Sequence, residues 1–574
     1  MLAPYSRKFI FAFSMIAVVM ASVVGIFTVE IHSYLARVST GVVISDKKLS
    51  SFTDSISALL EDGDQFGSGM ADIGDLDGDG VRDLAVGAWK DDDGGTNFGA
   101  VYILFMYADG TVKNYQKVSM ASGAFTGPID SADDFGFGVY PLGDLDLDGV
   151  EDIVVSERAN DNGGTDRGAF YVLFLNSDGT VKAEQRISDT SGSFTGVLDN
   201  FDVFGETVAV IPDVNGDGID DLAVGAKQDD DGGIDRGTIW ILYMQRDGSV
   251  SGYHKINSIS GGMNSSALDN GDRFGASVAS VADMNADGVR DLIVGASLDD
   301  DGAADTGAIY VLFMNADGTV ASQAKISSLT VNFTDAIHAG DRFGAALAAI
   351  GDLDQDGIDE VLVGAWADDA PGADSGAAYV LFLNAEGGVR RYQKMSGATG
   401  VLTGLIDAGD NFGLGLSVID DLNGSGVPEL IVGAVGDDDG GTDRGALWLL
   451  YLQQATGSAW SSSYPSHVSM TLNDGASCTT SREIQIHLEA EDADTVILSN
   501  DVFFRSSVVL DFSETEIDHI WQLPPDDAVH TVYAVFRSPS KDFSIVQSQT
   551  IRLDQTNNCV TLDEMLSSEI LPKP

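Results

Sequence analysis

Residues 75–83 read DLDGDGVRD, and residues 144–152 read DLDLDGVED. The chain already carries 89 acidic against 31 basic residues, a formal net charge of −58, so crowding further carboxylates together needs a physical reason. Four more nonapeptides continue the series: DVNGDGIDD from 213, DMNADGVRD from 283, DLDQDGIDE from 352 and DLNGSGVPE from 421. Phe-Gly recurs ahead of them at 66, 135, 204, 274, 343 and 412, at intervals of 69, 69, 70, 69 and 69 residues. A fixed period of this kind marks a repeat architecture, here six copies over residues 41–456.

Each copy holds four stretches of strand character. The first starts at the Phe-Gly, as in FGSGMADIGD, and the second follows the acidic loop, as in Leu84-Ala-Val-Gly-Ala. The third is a continuous apolar run such as GAVYILFM at 99–106, too short for a helix and rich in β-branched and aromatic residues, so burial on both faces is expected. After a turn such as Asp109-Gly110 comes a polar fourth stretch, YQKVS from 115 or YHKIN from 253, that reads as an outer edge. Four antiparallel strands per unit, repeated radially, predict an all-β fold, a β-propeller of six four-stranded blades. The sixth copy ends after its third strand, GALWLLYL at 445–452, while VVISDKKLS at 42–50 aligns with the fourth strands of the others. The chain's two ends are therefore expected to complete one blade, which removes two unpaired sheet edges. Seven blades, the alternative, would need four strands not found inside the array. A linear stack would leave 42–50 without a role.

The nonapeptides follow calcium-loop logic: oxygens at positions 1, 3 and 5, a backbone carbonyl at 7, an acid at 9, and glycine at 6 where the chain turns sharply. No His or Cys enters them, so a hard cation is implied, and many carboxylates favour Ca2+ over magnesium. One such loop would pass for a solvated Asp-Gly turn; six in register predict up to six calcium ions. The loops from 75, 144 and 352 offer four anions each, those from 213 and 283 three, and that from 421 two, so the loop starting at Asp421 should bind most weakly. A second acidic set, DDDGG from 91, 229 and 437 with NDNGG from 160, is expected to form polar turns on a solvated rim.

The acidic excess excludes nucleic acid as a partner, since a phosphate backbone would be repelled over nearly the whole surface. Arg7-Lys8 precede nineteen uncharged residues, 9–27, which read as an export signal or a single N-terminal membrane anchor, with 1–40 forming that segment and a stalk. A Ser-rich linker at 457–466 leads to alternating strands over 467–560, a small β-sandwich, and then a tail at 561–574. Cys478 and Cys559 flank that module and could be bonded outside the cytoplasm. The seven histidines are scattered, with no nucleophile motif, HExxH or phosphate loop, so no enzyme is expected.

The Phe-Gly starts, the D-x-[DN]-x-[DS]-G-x-x-[DE] loops and the Val-Gly-Ala that follows resemble the FG-GAP repeats of integrin alpha subunits and bacterial surface proteins. The resemblance implies a propeller with calcium in its loops, serving extracellular adhesion or ligand binding. Carried over by position, the first loop's ligands are Asp75, Asp77, Asp79, the Val81 carbonyl and Asp83, and the second's are Asp144, Asp146, Asp148, Val150 and Asp152. The third and fourth loops supply Asp213, Asn215, Asp217, Ile219 and Asp221, then Asp283, Asn285, Asp287, Val289 and Asp291. The fifth supplies Asp352, Asp354, Asp356, Ile358 and Glu360, and the sixth Asp421, Asn423, Ser425, Val427 and Glu429. Two departures stand out: integrin propellers have seven such repeats, and copy two reads Val155-Ser156-Glu157 in place of Val-Gly-Ala. The module after the linker resembles Ig-like domains of bacterial exported proteins, through TVYAVFRSPSKDFSIVQSQTIRLD. The expected function is adhesion or recognition of an extracellular protein or glycan at the cell surface, periplasmic face or beyond. A lectin-like propeller is the alternative if Trp89, Trp240, Trp366 and Trp448 face a pocket, although their apolar neighbours point to core packing. An exported hydrolase or lyase would need acids converging in the central channel.

Overall fold

The computed structural model describes residues 39–454 apart from 52–59, 334–335, 399–401 and 403–405, and also 466–473, 478–491, 495–499, 507–511, 516–524, 529–537 and 547–553. Residues 9–27, most of the linker, Cys559 and the tail lie outside the described residues. No described helix is long and apolar enough to cross a membrane.

The chain enters as β1 (Ser39–Leu49). The first repeat then forms β2 (Phe66–Asp72), β3 (Leu84–Ala88), β4 (Ala100–Met106) and β5 (Val112–Val118), paired antiparallel in chain order. Four more four-stranded sheets repeat this order. In the sixth sheet, Phe412–Ile419, Glu429–Ala434 and Ala446–Gln454 are joined by β1, which sets Lys48 opposite Trp448 as β5 sets Lys117 opposite Tyr102. The sequence pattern explains the layering. Every residue of β4 is buried because its apolar side chains face a neighbouring sheet on each side, whereas β5 alternates with polar residues at the sheet edge.

Packing between sheets follows the same period. Five apolar clusters fill the seams between consecutive repeats, and a sixth joins Leu84, Val86 and Leu104 of the first to Ile419, Ile431 and Leu449 of the last. The glycine of Val-Gly-Ala lets neighbouring backbones touch: a Cβ on Gly87 would overlap the Gly136 carbonyl oxygen, and one on Gly433 would overlap that of Gly67. The last repeat thus meets the first as each repeat meets the next. Copy two departs as its sequence foretells, since Ser156 is buried and its hydroxyl accepts the Gly138 N–H at 2.7 Å within the same sheet.

A second compact unit begins after Thr456. It holds a three-stranded sheet (Ser466–Leu472, Glu483–Glu491, Glu516–Gln522) and a five-stranded one that includes Cys478–Thr479, Thr495–Ser499 and Val529–Arg537. Met470, Ile486 and Leu488 of the first sheet share one apolar cluster with Val496, Val532 and Ile551 of the second, which makes a sandwich.

Candidate functional site

Each nonapeptide joins the first and second strands of its sheet, and the six share two left-handed positions, while the sixth departs at position 1, where Asp421 has φ of 47°. Position 6 is a glycine with φ between 84° and 92° throughout, and position 4 is also left-handed, even where it is Leu147, Ala286 or Gln355. The first aspartate organises the turn: Asp75 accepts the N–H groups of Asp79 at 2.9 Å and Gly80 at 2.8 Å, and Asp144, Asp213, Asp283 and Asp352 do the same for their own loops. The last acid is fully buried in all six loops and in the first four ties the loop to the third strand. Asp83 accepts from Leu76 N at 3.0 Å and Met106 N at 2.9 Å, and Asp152, Asp221 and Asp291 repeat both bonds.

Burial pushes these closing carboxyls up, Asp83 to about 6, Asp152 and Glu429 to about 7, and Glu360 to about 9. Glu360 is the extreme because its longer side chain holds only Leu353 N, at 2.6 Å, and its other oxygen has no hydrogen bond. Carboxylate oxygens converge to within 4.8 Å for Asp75, Asp77 and Asp83, for Asp144, Asp146 and Asp152, and for Asp352, Asp354 and Asp356. These are the three loops with four anions. In the other loops an amide or hydroxyl takes part: Asn285 donates to Asp287 at 2.9 Å, and Asn423 to Glu429 at 2.6 Å.

A signal missed in the sequence lies on the fourth strand, at the residue that bulges one step after its first pairing. In the three four-anion loops this residue is a cation. Lys113 reaches Asp77 at 2.6 Å and Asp79 at 2.5 Å, Lys182 pairs with Asp146 and Asp148, and Arg390 lies 3.0 Å from Asp354 and 2.5 Å from Asp356. Opposite the loops with an asparagine the same bulge is Ser251, Ala321 or, on β1, Ile44. Loop and opposing strand therefore vary together in charge, a relation between residues about 36 apart that no local motif displays.

The second acidic set forms exposed turns, but the first residue of each turn is buried. Asp91, Asp229, Asp299, Asp368 and Asp437 are buried and ion-paired with Lys117, Lys255, Lys325, Lys394 and Lys48 of the outer strands. These lysines also lie over the aromatic of the third strand, such as Lys255 over Trp240 at 4.0 Å. In copy two the turn residue is the neutral Asn160, and the carboxylate comes instead from Glu157, which meets Arg186 at 2.8 Å. The odd Ser156-Glu157 is thus the same ion pair supplied from a different position.

At the opposite end of the first hairpin lies an axial cavity of about 430 Å³, lined from all six repeats. The residue after each Val-Gly-Ala, or after Glu157 in copy two, faces it: Trp89, Arg158, Lys227, Ser297, Trp366 and Val435. Of the four tryptophans expected in the core, Trp240 and Trp448 are fully buried there, whereas Trp89 and Trp366 are half-buried on this cavity, because the second strand has ended and its next side chain turns toward the axis. In the second unit, His487, Glu489 and Glu516 could approach one ion, but His487 is an exposed group already bonded to Asp518 at 2.8 Å.

The FG-GAP repeat model matches residues 204–242 and 274–312, the first three strands of the third and fourth sheets. The chain is 39% identical to human integrin alpha-IIb over 169 residues, 28% of this chain and 15% of that protein. It is 36% identical to Drosophila melanogaster integrin alpha-PS5 over 172 residues, 29% of this chain and 15% of that protein. With Caenorhabditis elegans integrin alpha pat-2 the identity is 31% over 243 residues, 39% of this chain and 17% of that one. The matched region therefore spans about one sixth of these relatives. The third and fourth repeats match FG-GAP repeats, and the other four-stranded sheets share their strand order, which makes the array similar to an integrin alpha propeller.

Proposed function

We propose that the chain is a calcium-stabilised recognition module, a closed six-bladed propeller that acts outside the cytoplasm and binds a ligand without transforming it. The observation that carries the reading is the convergence of loop carboxylates to within 4.8 Å in three blades, on a turn whose left-handed positions 4 and 6 recur in all six. Asp75, Asp77, Asp79 and Asp83 would hold an ion in the first blade, as their counterparts would elsewhere, and the ion would neutralise like charges that otherwise repel across the hairpin. The likeness to integrin alpha subunits supports adhesion or recognition, and the signal or anchor at 9–27 supports display beyond the membrane.

Catalysis by paired carboxylates has little support, since Glu206 is the one acid lining the axial cavity and Lys227 holds it at 2.5 Å. A lectin-like reading draws on Trp89 and Trp366 in the cavity, but cations cover those rings.

The test is calorimetric melting of the full chain in calcium and in chelator. A site filled at a hundred times its Kd adds about 2.7 kcal/mol, so three strong sites should raise the melting temperature by roughly 10 °C or more. Equal melting temperatures would refute the calcium assignment. A protein and glycan array probed in calcium, then in chelator, tests recognition.

A further inference from the structure

We propose that the axial cavity is a carboxylate-binding site that takes an acidic side chain or chain end of a protein ligand. The proposal rests on the recognition reading above but not on calcium.

Charge is the first observation. The chain has 31 basic residues against 89 acidic, yet five cations line this one cavity, Lys90, Arg158, Lys227, Arg273 and Arg342, against the single acid Glu206. Glu206 is taken by Lys227, and Arg158 is held by Asp134 at 2.9 Å. Lys90, Arg273 and Arg342 have no carboxylate within 4.0 Å among the described residues. They are held in place by other means. Lys90 lies 4.3 Å from the centre of the Trp89 ring, Arg342 lies 4.5 Å from that of Trp366, and both arginines occupy the left-handed position just before a Phe-Gly, with φ of 59° and 57°.

Unsatisfied donors are the second observation. Arg273 Nε and Trp89 Nε1 are buried at this cavity and have no hydrogen-bond partner. A buried donor left unpaired costs on the order of 1–3 kcal/mol, a cost that a small shift of either side chain toward an incoming acceptor would relieve. Burial also depresses the Lys227 ammonium, against the pull of Glu206 and with the added repulsion of Arg158 and Arg273. Burial is the main cause, the two arginines add to it, and an added anion would offset their repulsion.

The geometry selects the class of ligand. Guanidinium groups present a planar fork of donors that matches a carboxylate, so Arg273 and Arg342 favour it over a neutral amide. Sugar rings need an open aromatic face, but Lys90 and Arg158 cover Trp89, and Arg342 covers Trp366. About 430 Å³ admits one or two side chains rather than an extended polymer.

The experiment is titration calorimetry of the full chain in calcium at low salt. The probes are acetyl-Glu-Glu-Glu-amide, its glutamine counterpart and tetragalacturonate. The glutamate peptide should bind at least tenfold more tightly than the other two. Arg273→Gln and Arg342→Gln should each weaken it about tenfold, while Arg236→Gln, whose Nε is bonded to Asn270, should not. Melting curves show whether the variants fold, and quenching of Trp89 and Trp366 fluorescence by the glutamate peptide in the unaltered chain gives an independent readout if they do not. Equal binding of the two peptides, or none, overturns the proposal, and preferential binding of tetragalacturonate reassigns the cavity to acidic glycans. A chain that melts with calcium dependence and binds an array ligand yet ignores the glutamate peptide refutes this site alone; one that binds nothing in either assay refutes recognition as well.

Discussion

The two ends of each blade's first hairpin obey different rules. At one end, six acidic loops share left-handed residues at positions 4 and 6 and a buried closing acid, and five of them share the same Asp-to-amide bonds. At the other, equivalent positions facing the axis hold Trp, Arg, Lys, Ser, Trp and Val. A residue that must close a turn faces the same physical demand in every repeat, so the period is kept. A residue facing the axis meets only its five counterparts, and chemical variety there makes one asymmetric cavity out of a sixfold scaffold. Two residues past the axis-facing position, in the turn before the third strand, buried acid–cation pairs keep their chemistry even where copy two supplies the acid from Glu157.

That contrast can be broken experimentally. The largest effect is expected from Glu157→Ala, which leaves the mostly buried Arg186 with only Asp133, at 3.9 Å, and should cost about 3 kcal/mol in denaturant unfolding. Adding Asn160→Asp restores the arrangement of the other five blades and should recover most of the loss; no recovery would show that copy two is built differently. Asp83→Ala should cost about 3 kcal/mol in chelator, because the N–H groups of Leu76 and Met106 lose their acceptors. If it costs nothing, the closing acid serves only the metal.

Acidity probes another set of buried aspartates, each two residues ahead of a Phe-Gly and close to those ion pairs. Burial raises Asp64 and Asp202 to about 7 and Asp272 and Asp410 to about 6, above an unfolded value near 3.8. The folded chain therefore binds more protons than the unfolded one between about pH 4 and 7. Stability from these groups is full below that window and is lost as the pH rises through it. In chelator the melting temperature should accordingly be several degrees higher at pH 5 than at pH 8, and the reverse order would contradict the assignment. The smallest effect concerns the loops' own counter-charge: Lys113→Gln should raise calcium affinity at the first loop about threefold, and Ser251→Lys should lower it at the third, by titration calorimetry.

Much of this was legible in the residues. Phe-Gly spacing marked the blades, GAVYILFM marked a strand buried on both faces, and VVISDKKLS announced the partner of the last strand. Other features were not. DDDGG reads as an exposed turn because its lysine partner is on a strand about 25 residues on, and Trp89 reads as core because its neighbours are apolar although its own side chain turns to the axis.

By itself, then, the chain's order of residues determined the repeat, the strands within it, the acidic loops and the strand that joins the array's two ends, because each depends on backbone demands met within one repeat or its alignment with another. Only the tertiary structure decided which loop faces a cation, where copy two keeps its buried charge, and that five scattered basic residues converge on one axis. Those outcomes depend on side-chain direction and on segments brought together across the ring, and neither leaves a mark in local sequence.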